Sequence, residues 1–125
     1  MTTTTKSIKA LHLEAMEALS SDLFEDGTYN LKTLEACSFD KGFQVTFCNE
    51  GDNCTDEKYA FLCSMFSELS CDGETYLGKF GGAPEVSWRF ESKKLAKRLA
   101  RAFNQISIWD WKHSKEIKTG GTGKR

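Results

Sequence analysis

Four cations in this chain share one helical spacing. Lys94, Lys97, Arg98 and Arg101 stand at i, i+3, i+4 and i+7, which puts their side chains on one face of an α-helix. Clustered cations raise the local potential enough to draw phosphates or an acidic protein surface. The two arginines are the stronger candidates, because a guanidinium meets an anion through paired hydrogen bonds where an ammonium acts as a point charge. Arg89 precedes this run, and Trp109 and Trp111 follow it. The candidate ligand- or partner-binding set is therefore Lys94, Lys97, Arg98, Arg101, Arg89, Trp109 and Trp111. Each has a bland alternative: a charge run is what a solvated helix face looks like, and paired tryptophans are common core residues. For Trp109 and Trp111 the core reading, beneath N-terminal helices, is favoured, because two uncovered indoles would leave a large apolar patch.

Catalytic and metal-binding patterns are not found in the sequence. No two carboxylates are marked by a spacing that predicts an acid and base pair, and no G-x-S-x-G nucleophile motif occurs. His12 and His113 stand far apart. The cysteines, Cys37, Cys48, Cys54, Cys63 and Cys71, are odd in number, irregularly spaced and without a C-x-x-C pair, so free thiols are expected and no metal site or cofactor. Gly120-Gly121-Thr122-Gly123-Lys124 looks like a phosphate loop but fails as one. Lys118 stands where the first glycine belongs, and Arg125 where Ser or Thr should follow the lysine. Gly81-Gly82 is read as a hairpin turn. The chain is expected to be a binding protein and not an enzyme.

The elements that must position the candidate residues are clearest from Glu85 to Trp111. Val86, Trp88 and Phe90 alternate with polar residues, as in a half-buried strand. Ser92 can cap a helix whose apolar stripe is Leu95, Leu99, Ala102 and Phe103, and alternation returns from Ile106 to Trp111. Upstream, Phe43, Val45 and Phe47 make a strand. Thr55 caps a helix carrying Tyr59, Ala60, Cys63, Phe66 and Leu69 inward, and Glu74 to Phe80 forms another strand. The order strand, helix, strand, strand, helix, strand is the signature of a ferredoxin-like βαββαβ fold. An α+β domain is thus expected over residues 43–111, with a four-stranded antiparallel sheet and two helices on one face. Residues 1–42 are expected to be a helical extension, comprising a helix from Lys6 to Ser20 and a short one capped by Asn30 that holds Leu31, Leu34 and Ala36. Residues 112–125 are expected to be a flexible polar tail, and Met1 to Thr5 loose.

With 125 residues and a net charge of −1, the chain suits one domain with a core of its own. No apolar run approaches the length of a membrane span, and the first residues lack the apolar segment of a secretory signal. A cytoplasmic location in a bacterial host cell is expected. The near-neutral total hides an asymmetry: up to Thr75 acids outnumber bases roughly three to one, and from Tyr76 onward the ratio is roughly inverted.

The segments FNQISIWDW, following a basic helix, and GFQVTFCNEGDN resemble small uncharacterised proteins of phages and conjugative elements of gut Firmicutes, over about Phe43 to Trp111. The resemblance implies an anti-defence role. One form is an inhibitor that occupies a nuclease effector, as anti-CRISPR proteins do. The other is a sponge for a cyclic-nucleotide signal, as anti-Thoeris and anti-CBASS proteins are. The partners expected are an effector protein or an anionic nucleotide ligand. RNA or single-stranded nucleic acid, bound on an open sheet face, is the alternative; a second copy of the chain is a further candidate, and a small enzyme with a composite site is the least favoured reading.

Overall fold

Strand β5 (Ala83–Phe90) is the axis of the molecule. Its Val86, Trp88 and Phe90 are fully buried on one face, as their alternation requires, while Ser87 and Arg89 point to the other. The computed structural model describes residues 7–46, 55–80 and 83–121. Around β5 it sets one antiparallel sheet whose other strands are β1 (Gly27–Asn30), β2 (Ala36–Cys37), β3 (Phe43–Thr46), β4 (Tyr76–Phe80), β6 (Ser107–Asp110) and β7 (Lys115–Lys118). The order across the sheet is β2-β1-β4-β5-β3-β6-β7.

Three helices pack together with one face of this sheet. Helix α1 (Ile8–Leu19) lies by β4 and β5 and against α2 (Asp56–Leu69), and α3 (Lys93–Ala102) lies over β3, β5 and β6. Each starts at a hydroxyl cap that accepts from a first-turn amide: Ser7 from Ala10, Thr55 from Lys58, Ser92 from Leu95. The shared core is built from Met16 and Leu19 of α1, Tyr59, Cys63 and Phe66 of α2, Ala96 and Ala100 of α3, and Val45, Leu77, Val86, Trp88, Phe90 and Ile108 from the strands. Phe66 stacks on Trp88 with ring centroids 4.8 Å apart. The indole Nε1 of Trp88 donates to the hydroxyls of Ser67 and Thr75, so the largest buried ring is also satisfied as a donor.

The α+β class and the single antiparallel sheet agree with the sequence; the expected four strands do not, because the sheet has seven among the described residues. Two of the extra strands flank the segment expected to be a short helix after Asn30, which is a turn between them. The Asn30 carboxamide accepts from the amides of Lys32 and Thr33 and closes a tight turn, and Leu34 follows at φ +60°, so the chain reverses into the β1-β2 hairpin. The seventh lies in the segment expected to be a loose tail. Lys115–Lys118 pairs along β6, with Ile117 opposite Ile108, and Thr119 is buried beyond it. The inward stripe of α3 is also displaced from the expected one: Ala96 and Ala100 are its most buried positions, Leu95, Leu99 and Phe103 are half-buried, and Ala102 is exposed. Leu69 of α2, expected inward, is exposed. The Gly81-Gly82 turn, Phe47, Cys48, the loop 49–53, Cys54, the first residues and the end of the glycine-rich segment lie outside the described residues.

Candidate functional site

Helix α3 is held on the sheet by small side chains. Because Ala96 and Ala100 face the core and Leu95, Leu99 and Phe103 close its flanks, the outer side of the helix is left to residues with long polar side chains. Lys94, Arg98 and Arg101 are exposed there and Lys97 is half-buried. These four line one shallow groove of about 300 Å³. The sequence pattern thus brings four of its seven candidate residues together.

Arg101 has a second task. Its Nε donates to the Thr119 carbonyl at 2.9 Å, which ties the C-terminal turn of α3 to the chain leaving β7. Thr119 is fixed from its other side, its hydroxyl donating to the carbonyls of Gln105 and Ile106. The Arg101 side chain is therefore anchored at one nitrogen while the residue stays exposed. A guanidinium oriented in this way loses less freedom when it meets an anion.

The other three candidates lie elsewhere. The register places Trp109 beside Gln44, which sits opposite Arg89 on β5, so both point to the sheet face away from the helices. Trp111 is on that side too, its Nε1 donating to Gln44 Oε1 at 2.9 Å. Both tryptophans are half-buried, and neither is core beneath N-terminal helices, because α1 packs against the opposite face. Phe39, from the connection after β2, covers part of this side. Its ring meets Tyr76 and Trp111 edge-on at 5.3 Å each, and Trp111 meets Trp109 at 6.3 Å. Arg89 lies 4.2 Å from the Phe39 ring centroid, donates to the Lys41 carbonyl and pairs with Asp72 at 3.5 Å. The Tyr76 hydroxyl donates to the same carboxylate; burial, with that bond second, pushes its proton affinity far up. Arg89 is thus mostly engaged within the fold, with its Nε buried and unpartnered, and lies on the opposite side of the sheet from the α3 cations.

Two histidines sit in arrangements that the sequence did not announce. His12 is buried between α1 and α2, its Nδ1 hydrogen-bonded to the Tyr59 hydroxyl at 2.8 Å with Cys63 Sγ at 4.0 Å, and burial lowers its pKa. His113 is bonded to Asp110 at 2.8 Å in the β6-β7 turn. Burial opposes the Asp110 charge, but the bonds from His113 prevail and keep its pKa low. A helical i to i+4 spacing cannot signal His12, since its partners lie on another helix. Among the described residues, no three His, Cys, Asp or Glu side chains converge as metal ligands, and no helix is long and apolar enough to cross a membrane.

The charge asymmetry of the sequence is an asymmetry in space. On α1, which packs by β5 and β4, on the chain leading from it to β1, and in the β1-β2 turn, the exposed charges are mostly acidic, including Glu14, Glu17, Asp22, Glu25, Asp26 and Glu35 against Lys32. Toward the β6-β7 end of the sheet, α3 presents its four cations and β6-β7 adds exposed Lys112 and Lys115, with Lys118 paired to exposed Glu116 at 3.5 Å. A near-neutral chain therefore carries a cationic edge.

No protein-family model, curated protein or solved structure matches this chain.

Proposed function

We propose that the protein acts by binding, docking an anionic partner on the outer face of α3. The observation that carries this reading is the convergence of Lys94, Lys97, Arg98 and Arg101 on one groove at the cationic edge. Four cations along two turns of one helix face repel one another, and a bound anion relieves that repulsion. The described lining offers charge and no catalytic pair, which favours a non-enzymatic role. Following the resemblance, the binding would serve an anti-defence function in a bacterial host cell. The shallow, open groove of about 300 Å³ does not enclose a small ligand, which weighs against a cyclic-nucleotide sponge and favours a macromolecular anion as the partner.

The alternative, RNA or single-stranded nucleic acid on the open sheet face, has Trp109 in its favour as a half-buried ring on the helix-free side. Against it, the rings there are engaged edge-on with one another and the Trp111 donor is already used. We also infer that the central unit is a ferredoxin-like core widened by β1, β2 and β7. The order β4-β5-β3-β6, with α2 and α3 in the two crossovers, supports it.

The test is retention on heparin resin at neutral pH. A protein of net charge −1 should pass through unless its cations are clustered. Wild type is expected to be retained, the Lys94→Ala/Lys97→Ala/Arg98→Ala variant to flow through with an unchanged melting temperature, and Trp109→Ala to behave as wild type. Equal elution of the triple variant and wild type would remove α3 from the proposal. The anti-defence role is tested in a host carrying a nuclease-based defence: expression should raise phage plating, and the triple variant should not.

A further inference from the structure

Resting on the reading of α3 as the docking face, we propose that its partner is the phosphate backbone of duplex nucleic acid, gripped over a short span without readout of base sequence. The stripe from Lys94 to Arg101 covers seven residues, and at 1.5 Å each it is about 10 Å long. Each strand of a duplex carries one phosphate for about every 3.4 Å of axis, so a helix lying along that axis spans roughly three phosphate levels. Exposed Lys115 of β7, opposite Asp110 and on the same side of the sheet as Ile108 and α3, lies at this end, where a neighbouring strand of the duplex would pass; Lys118 is turned to the other face and pairs with Glu116 at 3.5 Å.

Single strands fit less well. Binding of unpaired bases relies on aromatic rings beside a basic track, and here Phe39, Trp109 and Trp111 are on the far side of the sheet from α3. The described groove lining has lysine and arginine alone, side chains that read phosphate position and carry no base preference unless they enter a groove. The acidic residues of α1, its connection to β1 and the β1-β2 turn, Glu14, Glu17, Asp22, Glu25, Asp26 and Glu35, repel a polyanion that wraps further. The footprint is therefore short. Affinity should depend steeply on salt near the cationic edge but saturate with duplex length.

The experiment is fluorescence anisotropy with labelled 12-base-pair duplexes of two unrelated sequences, titrated with the full chain at several salt concentrations between 50 and 200 mM. About four neutralised phosphates give a slope of log K against log salt of roughly −3.6, and the Lys94→Ala/Lys97→Ala/Arg98→Ala variant should flatten it to about −1. Both sequences should bind alike, and a duplex twice as long should not steepen the slope. Tighter binding of a single strand of equal length, a slope near zero, or one unchanged in the triple variant would each overturn the proposal. Poly-L-glutamate bound through α3 in place of duplex would do the same and point to an acidic protein. Heparin retention separates the two levels: lost in the triple variant with no duplex binding, it refutes the nucleic-acid partner and leaves the docking face standing; absent altogether, it refutes both.

Discussion

Arg101 on α3 and Thr119 beyond β7 are joined by a 2.9 Å hydrogen bond from the guanidinium Nε to the main-chain carbonyl. The bond fastens the cationic helix to the last described turn of chain. It also makes Arg101 a poor reporter of binding, because removing it loosens the sheet edge as well as the surface charge. Lys94, Lys97 and Arg98 have no such tie to Thr119, which is why they are the residues to replace.

The same fastening depends on Gly121. A β-carbon there would fall inside contact distance of the Gln105 carbonyl oxygen, and that oxygen is backbone and cannot swing away. Gly121→Ala is expected to destabilise by about 1–3 kcal/mol through overpacking. Urea denaturation with an unchanged midpoint would show that the β7 end is not packed as described.

Helix α3 rests on alanines, and this sets the sign and size of its core substitutions. Ala100→Leu should cost about 1–3 kcal/mol, since the added atoms meet a filled core. Leu99→Ala and Phe103→Ala remove half-buried side chains and should cost about 1–3 kcal/mol, less than the roughly 2–5 kcal/mol of fully buried large-to-small changes. Thermal melts that put Leu99→Ala well above Ala100→Leu in cost would mean that the helix is rotated about its axis.

Lys79 is a buried lysine on β4 whose ammonium donates to the carbonyls of Ser21 and Phe24, at 2.8 and 2.9 Å. It holds the chain between α1 and β1 against the sheet. Lys79→Met keeps the apolar stem but strands both carbonyls, a loss of about 1–3 kcal/mol. Faster proteolysis between α1 and β1 in that variant is the second expected sign; wild-type stability and cleavage would contradict the assignment.

Buried His12 gives the α1-α2 contact a pH dependence. Its pKa in the folded chain lies below the ordinary 6.5 because burial disfavours the cation. Below that value the unfolded chain takes up a proton that the folded chain resists, so stability falls as pH falls through 6.5. Above it the group is neutral in both states and contributes no slope. His12→Gln can keep a hydrogen bond to Tyr59 but does not titrate. The difference in melting temperature between wild type and His12→Gln should move against wild type between pH 7.5 and 5.5, and parallel curves would place the titration elsewhere.

What was legible in the sequence followed short-range rules. The alternation of Val86, Trp88 and Phe90, the caps at Thr55 and Ser92, and the cationic face of α3 all depend on spacing within one element, and all stand in the structure. The misses share a different cause. Asn30 can cap a helix or close a tight turn, and the pairing of Thr28 and Tyr29 with β4 tipped it to the turn. Lys115–Lys118 is too polar to read as a strand, yet an edge strand next to β6 needs one inward residue, the half-buried Ile117, and tolerates lysines elsewhere. Trp109 and Trp111 read as core because their partners, Phe39 and Gln44, are remote in sequence. The wider sheet is a long-range fact, and local patterns do not carry it.

The most direct measurement is a two-dimensional amide NMR titration of the full chain with low-molecular-weight heparin at low salt. The expected result is a set of shift changes confined to the amides of residues 93–103 and the neighbouring end of β7, abolished in the Lys94→Ala/Lys97→Ala/Arg98→Ala variant. Shifts centred on Phe39, Arg89, Trp109 and Trp111, with α3 silent, would contradict the claim that the outer face of α3 is where the protein binds.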